Sequence, residues 1–440
     1  MIALTAGEIA EACGGRTDAQ ATITGVTIDS RAVAPGDLFV ALPGERTDGA
    51  RYAADALRGG AAAVMVAGTP GDPPPDAHTI LVPDPLIALG RLAAEVRRRS
   101  GARVVGITGS TGKTSTKDIL AALLRRKLRT VASHANFNTE IGLPLTLCRI
   151  EPGTEAVVCE LAMRGMGQVS YLAGIARPDV AVITSIGPVH LEQVGSIESV
   201  AEAKAEILEP LGPRGTAVVP HAEPLLAPYL DLTRARVMTF GVEEGADVRL
   251  AGFMPGRAEI AVGGRTITVP VNFDQHHNGV NLAAAVAACA GLGLDPADPE
   301  LLAGAAEVEL SRWRGERIAL PGDGFVIADC YNANPVSMRA ALAHLVSAAG
   351  GRRTVAVMGE MAELGPAGPQ LHEEIGREAA RLGVDVVVAV GPLSRAYGGR
   401  WFADAGAAAG GVPEVLEPGD AVLVKGSRSA GLEAVVEALT

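Results

Sequence analysis

Residues 104–116 read VVGITGSTGKTST. The run 103–108 is apolar after its first residue and before its last, as in a parallel strand buried on both faces. A glycine-rich turn follows, then Lys113 and Thr114, then a helical pattern over 114–127. This order suits a phosphate. Glycines let the backbone N–H groups of Thr108, Gly109, Ser110, Thr111 and Gly112 turn toward phosphate oxygens, and a helix N-terminus adds positive potential. Lys113 can reach the β- and γ-phosphates, and Thr114 can hold Mg²⁺. The strict pattern GxxxxGK[ST] would need a glycine at Ile107, so the loop reads TGxxGKT instead. A chance Gly/Thr turn is the competing reading, which the strand–loop–helix context disfavours. The loop alone also fits a phosphoryl-transfer kinase. A GTPase would add an NKxD segment, and none of the lysines lies in one.

Outward from this loop, strand-like runs recur at 155–160, 179–184 and 216–219, with a further helical pattern at 199–208. Residues 247–271 alternate like β-hairpins and give way to a helix at 279–290. Upstream, 22–29, 37–41 and 62–66 read as strands and 52–58 and 85–99 as helices. Residues 71–75 form a Pro-rich loop, and Ser100-Gly101 is a natural break. Downstream of Ser311, strands at 325–329, 354–358, 385–390 and 421–424 alternate with helices. Such alternation argues for parallel sheets flanked by helices. The chain therefore reads as an α/β protein of three domains. They are an N-terminal α/β domain (1–100), a central P-loop ATPase-like parallel sheet (101–310) and a C-terminal Rossmann-like domain (311–440). Ligands should bind where these face one another.

Of the 440 residues, 48% are hydrophobic and 20% charged, which favours packed cores over disorder. The net charge of −12 argues against general nucleic-acid binding. No basic n-region with an apolar h-region opens the chain, and no run of 18 apolar residues occurs. The expectation is a cytoplasmic protein without membrane insertion. Cys13, Cys148, Cys159, Cys289 and Cys330 are scattered and lack a CxxC pair, which suits reduced thiols. Only Lys113, Lys117, Lys127, Lys204 and Lys425 are lysines among 38 basic residues. Where charge alone is needed this chain writes Arg, so a lysine points to a compact charge or a reactive neutral amine.

Further segments carry a resemblance. They are HANFNTEIGLPLT (134–146), CELAMRGMGQ (159–168), SIGPVHLEQVGS (185–196), EAKAEIL (202–208), HHNGVNLAAA (276–285), DCYNANPVSM (329–338), MGEMAELG (358–365) and VKGSRSAGLE (424–433). In order and spacing the chain resembles the ATP-dependent Mur ligases of bacterial cell-wall synthesis, along nearly its whole length. TGxxGKT is that family's usual form of the loop. Within the family, DxYNANPxSM and KGSRS resemble the members that join D-alanyl-D-alanine to UDP-N-acetylmuramoyl-tripeptide.

Glu160 ends a strand beside the phosphate loop. By position alone it is as well an ordinary strand-end acid as a Mg²⁺ ligand. The resemblance implies a ligand. His190 alone reads as a structural or surface histidine, because Mg²⁺ prefers oxygen; the resemblance implies contact with a second Mg²⁺. Lys204 alone reads as a solvated helix residue. The resemblance implies a carbamylated lysine, whose neutral amine adds CO₂ and whose carbamate supplies an oxygen ligand. Arg could not do this. Thr114, Glu160, His190 and Lys204 are thus the expected metal set. Lys113, His190, Lys204 and Arg314 are the expected catalytic set.

By the same resemblance Asn278 and Asn281 face adenine, with N-capping as the plain alternative, and Arg314 meets the γ-phosphate. Asp329 and Asn332 end the first C-terminal strand, where an open α/β sheet meets its ligands. Lys425, Ser427 and Arg428 are similarly placed after another strand. Asn136 and Asn138 are candidates for substrate contact. IDSRAVAPGDLFVALPGERTDG (28–49) resembles a UDP-sugar-binding segment, with Ser30, Arg31, Arg46 and Asp48 as candidates; a polar turn surface is the alternative.

The chemistry implied is amide formation through an acyl phosphate, driven by ATP and two Mg²⁺ ions, with the third domain closing over the second. His134 and His372 are bases for the incoming amine by type only, and a helix or surface role is favoured for each. Competing readings are a sibling ligase adding the third stem-peptide residue, folylpolyglutamate or cyanophycin-type ligation, and a non-catalytic nucleotide-binding regulator. The last would lack Lys113, Glu160 or Lys204. The expected state is a monomer. Whether the third stem residue is meso-diaminopimelate or lysine is not written in these segments.

Overall fold

The computed structural model describes residues 1–44, 47–68, 77–134 and 137–440. The proline-rich stretch 71–75, Arg46 and Asn136 lie outside the described residues.

The apolar runs become the strands of a nine-stranded central sheet. Its order is Arg265–Pro270, Arg257–Val262, Val248–Met254, Arg236–Gly241, Thr216–Pro220, Val180–Ile183, Arg103–Thr108, Ala156–Glu160, Thr130–Ala132. The last seven are parallel, and the first two add antiparallel hairpins, as the alternation at 247–271 foretold. Arg103–Thr108 sits between Ala156–Glu160 and Val180–Ile183, with Ile107 opposite Glu160 and Thr108 opposite Ile183. The chain crosses from one side of this strand to the other, so the phosphate loop leaves the sheet at a topological switch point. Thr130–Ala132 and Arg236–Gly241 were not foreseen. The first has three half-buried residues and the second begins on two exposed ones, so neither shows a clean period.

The helix after the loop spans Lys113–Arg125 and buries Ile119, Leu120, Leu123 and Leu124. It packs on His276–Gly291, an alanine-rich helix buried on nearly all sides. Small side chains let the two axes approach closely beneath the sheet. Leu123 is fully buried there, so Leu123→Ala should cost about 2–5 kcal/mol.

The N-terminal sheet has the order Arg16–Thr17, Thr79–Val82, Ala63–Ala67, Asp37–Val40, Gly25–Thr27. The expected strand at 22–29 is split. Thr22–Ile23 pairs with Leu4–Thr5, whereas Gly25–Thr27 joins the sheet. The helix Pro85–Arg99 is as predicted. Pro85 opens it, and the Asp84 side chain accepts from the N–H groups of Leu86 and Ile87 at 2.8 and 3.1 Å. Its buried face belongs to one apolar cluster that runs from Met1 to Ala235, without a break between the N-terminal and central sheets. Arg97 adds a tie, with Nη2 2.9 Å from the Asp179 carboxylate and Nε donating to the Ala176 carbonyl at 3.1 Å.

The third sheet runs Glu316–Ala319, Phe325–Asp329, Ala421–Lys425, Thr354–Gly359, Val386–Val390, Arg400–Phe402. Its first strand is antiparallel and the rest parallel, a Rossmann-like arrangement. It has its own two buried clusters, and among the described residues no buried apolar cluster crosses residue 311. No helix among the described residues is long and apolar enough to cross a membrane.

Candidate functional site

The phosphate loop is braced from behind. Gly109 has φ +150°, and a Cβ there would collide with Thr184 Oγ1. The Ser110 N–H donates to the Ser185 carbonyl at 2.9 Å, and the Thr111 N–H donates to Ser185 Oγ at 2.9 Å. Ser110 Oγ donates to the Gly187 carbonyl at 3.0 Å. Two of the N–H groups expected to face phosphate are therefore spent on the 184–187 loop. The donors left for an anion include the N–H groups of the N-cap and first helical turn, Gly112, Lys113, Thr114 and Ser115, which have no intrahelical partner. Gly112, at φ +81°, precedes them. Lys113 Nζ curls back to the Gly109 carbonyl at 2.5 Å. Burial pushes its amine below the ordinary value, Glu160 opposes this, and Arg314 adds to it.

Glu160 is 1% exposed. Thr114 Oγ1 donates to one of its oxygens and Asn138 Nδ2 to the other, both at 2.9 Å. Both donors are neutral, and no cation among the described residues forms an ion pair with this carboxylate. A buried anion in that state is short of a counter-charge, which is what a bound divalent cation supplies.

His190 and Lys204 join this region. His190, at φ +54°, holds its Nδ1 against the Glu363 carboxylate of the C-terminal unit. Burial lowers the ring from its ordinary value; Glu363 resists, and the charges of Lys113 and Lys204 reinforce the lowering. With Nδ1 facing a carboxylate, Nε2 keeps its lone pair for a ligand. Lys204 is 1% exposed, not the solvated residue its helix suggested. Burial, then the Lys113 charge, drives its amine well below the usual range.

The C-terminal unit closes the site. Arg314 Nη2 donates to Thr114 Oγ1 at 3.1 Å, its guanidinium stacks 4.1 Å from the Tyr331 ring centre, and its Nε is buried without a partner. A cavity of about 170 Å³ lies between the units, lined by the phosphate loop with His277, Asn281, Arg314, Asp329 and Asn332. Lys425 is buried behind Asp329. Its Nζ donates to the Asp329 carboxylate at 2.7 Å and to the Asn332 carbonyl at 2.9 Å, holding that corner in shape. Ser427 Oγ accepts from the Ala362 N–H at 2.9 Å. Arg428 is more than half exposed and lies near Glu433. Thr108 ends its strand fully buried.

Asn278 is fully buried behind Asn281, and the helix N-cap is Gln275, so neither asparagine caps. Ser30, Arg31 and Asp48 do not line this cavity. Arg31 pairs with Asp29, its Nη2 2.7 Å away, and Asp48 caps a short 3₁₀ turn at the Ala50 N–H. His372 is a core histidine. It accepts from the Met361 N–H at 2.9 Å and lies 2.6 Å from the Gly368 carbonyl. His134 is exposed beside Phe137. Sequence reasoning passed over Gln275, His277, Tyr331 and Glu363. His277, Tyr331 and Glu363 lie inside quoted segments, but nothing in their spacing assigned them work.

Three family models match in register with these units. They are "Mur ligase family, catalytic domain" over residues 22–97, "Mur ligase middle domain" over 107–289 and "Mur ligase, glutamate ligase domain" over 313–428. The chain is 35% identical to the UDP-N-acetylmuramoyl-tripeptide--D-alanyl-D-alanine ligase of Synechocystis sp., covering 95% of this chain and 92% of that one. It is 36% identical to the protein of that name from Mycobacterium tuberculosis, covering 100% and 98%. Among solved structures, MurF from Acinetobacter baumannii superposes with TM-score 0.89 at 30% identity, over 99% and 98% of the two chains. MurF from Thermotoga maritima in complex with ADP gives 0.83 at 30%, over 94% and 96%. A diaminopimelate-adding ligase shares the fold, at 17% identity, 100% and 99% coverage and TM-score 0.54.

Proposed function

Since the chain belongs to the Mur ligase family, we propose that it performs the ATP-dependent joining of D-alanyl-D-alanine to UDP-N-acetylmuramoyl-tripeptide, giving UDP-MurNAc-pentapeptide, ADP and phosphate. The observation that carries this reading is the cleft where the phosphate loop faces Asp329 and Asn332. It occurs in a chain that matches ligases of that name from end to end. The sibling that adds the third stem residue shares only the fold.

A carboxylate does not condense with an amine at neutral pH. The tripeptide carboxylate therefore takes the γ-phosphoryl group of ATP and ADP leaves. The amine of D-alanyl-D-alanine then adds to the acyl-phosphate carbonyl, and the tetrahedral species collapses to the amide and phosphate. In this reading Lys113 releases the Gly109 carbonyl and turns to the phosphate oxygens. The first-turn N–H groups hold the same anion, and Arg314 meets it from the C-terminal side. His277, Asn281 and Asp329 line the nucleotide side of the cleft. Thr114 and Glu160 would hold one Mg²⁺ ion, and His190 and Lys204 a second, which neutralise charge on the transferred group when bound.

Lys204 as a carbamate belongs to this reading. Support comes from its burial, its lowered amine and the lack of an anionic partner among the described residues. A neutral amine adds CO₂ and releases a proton, which would place an anion beside the Lys113 charge that now disfavours a second cation. The N-terminal unit takes the UDP end, with Ser30, Arg31, Arg46 and Asp48 as candidates; Asn136 and Asn138 are further candidates for substrate contact, and Asn138 Nδ2 reaches the Glu160 carboxylate. The use of ATP favours a cytoplasmic setting, and the cleft is lined by residues of one chain, which favours a monomer.

The test is phosphate release from ATP and Mg²⁺ with UDP-MurNAc-tripeptide, with and without D-alanyl-D-alanine. Release only with both acceptors supports the reading. Release with a single amino acid and a shorter UDP-muramyl peptide moves the chain to the sibling step.

A further inference from the structure

Three buried amide side chains stand in single file beneath the phosphate loop. Gln275 Nε2 donates to the Gly315 carbonyl at 2.8 Å. Asn278 Nδ2 donates to Gln275 Oε1 at 3.0 Å, and Asn281 Nδ2 donates to Asn278 Oδ1 at 3.0 Å. Their exposures are 3%, 0% and 9%. The spacing of three places them along one side of the helix His276–Gly291.

The polarity of this chain is set at one end. A backbone carbonyl has no hydrogen, so Gly315 can only accept. Gln275 must therefore offer it the NH₂ group, which leaves its oxygen for Asn278, and the same choice repeats at Asn281. The nitrogen and oxygen of an amide are otherwise interchangeable in shape. At the far end Asn281 is left with Oδ1, an acceptor, at the cavity wall. A Cβ on Gly112 would lie 2.6 Å from that oxygen. Gly315, at φ +80°, follows Arg314, which itself reaches Thr114. The C-terminal unit thus meets the phosphate loop twice, through the guanidinium and through the amide file.

We propose that Gln275 is a positioning residue: anchored on the Gly315 carbonyl, it holds the Asn281 oxygen toward the cavity, so that the bound nucleotide is selected by a hydrogen-bond donor. Phosphate oxygens only accept at neutral pH, so the selected group is a base amine or a ribose hydroxyl. The inference rests on the reading that the nucleotide is ATP.

The experiment measures dissociation constants by calorimetry for ATP, ITP, 2′-deoxy-ATP and 3′-deoxy-ATP, without acceptor substrates. ITP replaces the base amine by oxygen, and the deoxy compounds each remove one hydroxyl. The full-length native chain should bind one of these roughly tenfold more weakly than ATP, the size of one lost hydrogen bond. Gln275→Met frees the Asn278 and Asn281 amides to turn, and the penalty should shrink to about twofold or less. Gln275→Glu still forces Asn278 to donate, so the penalty should persist even if all affinities fall. A purely structural role would weaken ATP and analogue alike and leave their ratio fixed. That result in Gln275→Met, or equal binding of all four nucleotides by the native chain, overturns the proposal. If Gln275→Glu does not fold, Gln275→Met and the native ratios still decide. A native chain that shows the penalty yet releases no phosphate with both acceptors overturns the ligase reading and supports this one.

Discussion

Arg314 Nη2 lies 3.1 Å from Oγ1 of Thr114, the hydroxyl that itself donates to Glu160 at 2.9 Å. A guanidinium from the C-terminal unit thus touches the first helical turn after the phosphate loop. Lysine in its place keeps the charge but loses both the planar fork and the stack on Tyr331. Arg314→Lys should lower kcat by about 10²–10³-fold, the cost of removing one transition-state donor. Steady-state phosphate release measures this, and an unchanged kcat refutes the assignment.

Glu160 takes both its hydrogen bonds from neutral donors. Chelation of divalent cations should abolish turnover, and Glu160→Gln should raise the Mg²⁺ concentration needed for half-maximal rate. Asn138 orients the same carboxylate from outside, so Asn138→Ala should raise that requirement by about 10–100-fold. A Mg²⁺ titration of each variant is the check. An Asn138→Ala curve that overlays the native one would show that the carboxylate needs no such support.

Lys204 offers a third test, because charge and nucleophilicity separate there. Lys204→Arg preserves the cation and removes the amine that can add CO₂. Turnover should be lost while ATP binding survives, and native activity should fall in buffers stripped of CO₂ and bicarbonate. Native-like turnover by the arginine variant would leave the buried lysine with a structural role only.

His277 has a sign that can be worked out. Burial holds its ring down to about 4, against the pull of Asp329. An unfolded histidine titrates near 6.5. Between those values the unfolded chain takes a proton that the native ring refuses, so this group's contribution to stability is lost as pH falls from about 6.5 toward about 4. The loss is at most about 1.4 kcal/mol per pH unit. Urea midpoints at pH 7 and pH 5 should therefore drop more for the native chain than for His277→Gln. Parallel drops would assign the acid sensitivity to other groups.

The strand Arg103–Thr108, the helix Pro85–Arg99 and the strand Phe325–Asp329 fall where the sequence places them. Each combines a continuous apolar run or period with a clear stop. Arg236–Gly241 shows neither, because its first residues are exposed at the surface of a sheet that is otherwise buried. The site divides along the same line. Lys113, Thr114 and Gly112 are local in sequence, so their chemistry can be read from spacing. The contact of His190 with Glu363 spans 173 residues, and that of Gln275 with Gly315 spans 40. Both depend on how one unit lies against another, which no local pattern encodes. Lys204 misled for a related reason: the helix Ile197–Ala205 has a weakly sided pattern, and its lysine faces inward rather than to water.

The two junctions of this chain are seams of different material. Across the first, near residue 100, apolar burial is continuous from Met1 to Ala235; prising it apart would expose core to water at about 25 cal/mol for every Å². Across the second, near residue 311, the polar ties include Ser311 to Asp118, Gln275 to Gly315, Arg314 to Thr114, His344 and Arg317 to Asp274, and His190 to Glu363. Water can replace each of these at little net cost. The fold is therefore a vice with one fixed jaw and one free jaw. Were the wettable seam to part, whatever the N-terminal jaw grips would keep its distance from the phosphate loop.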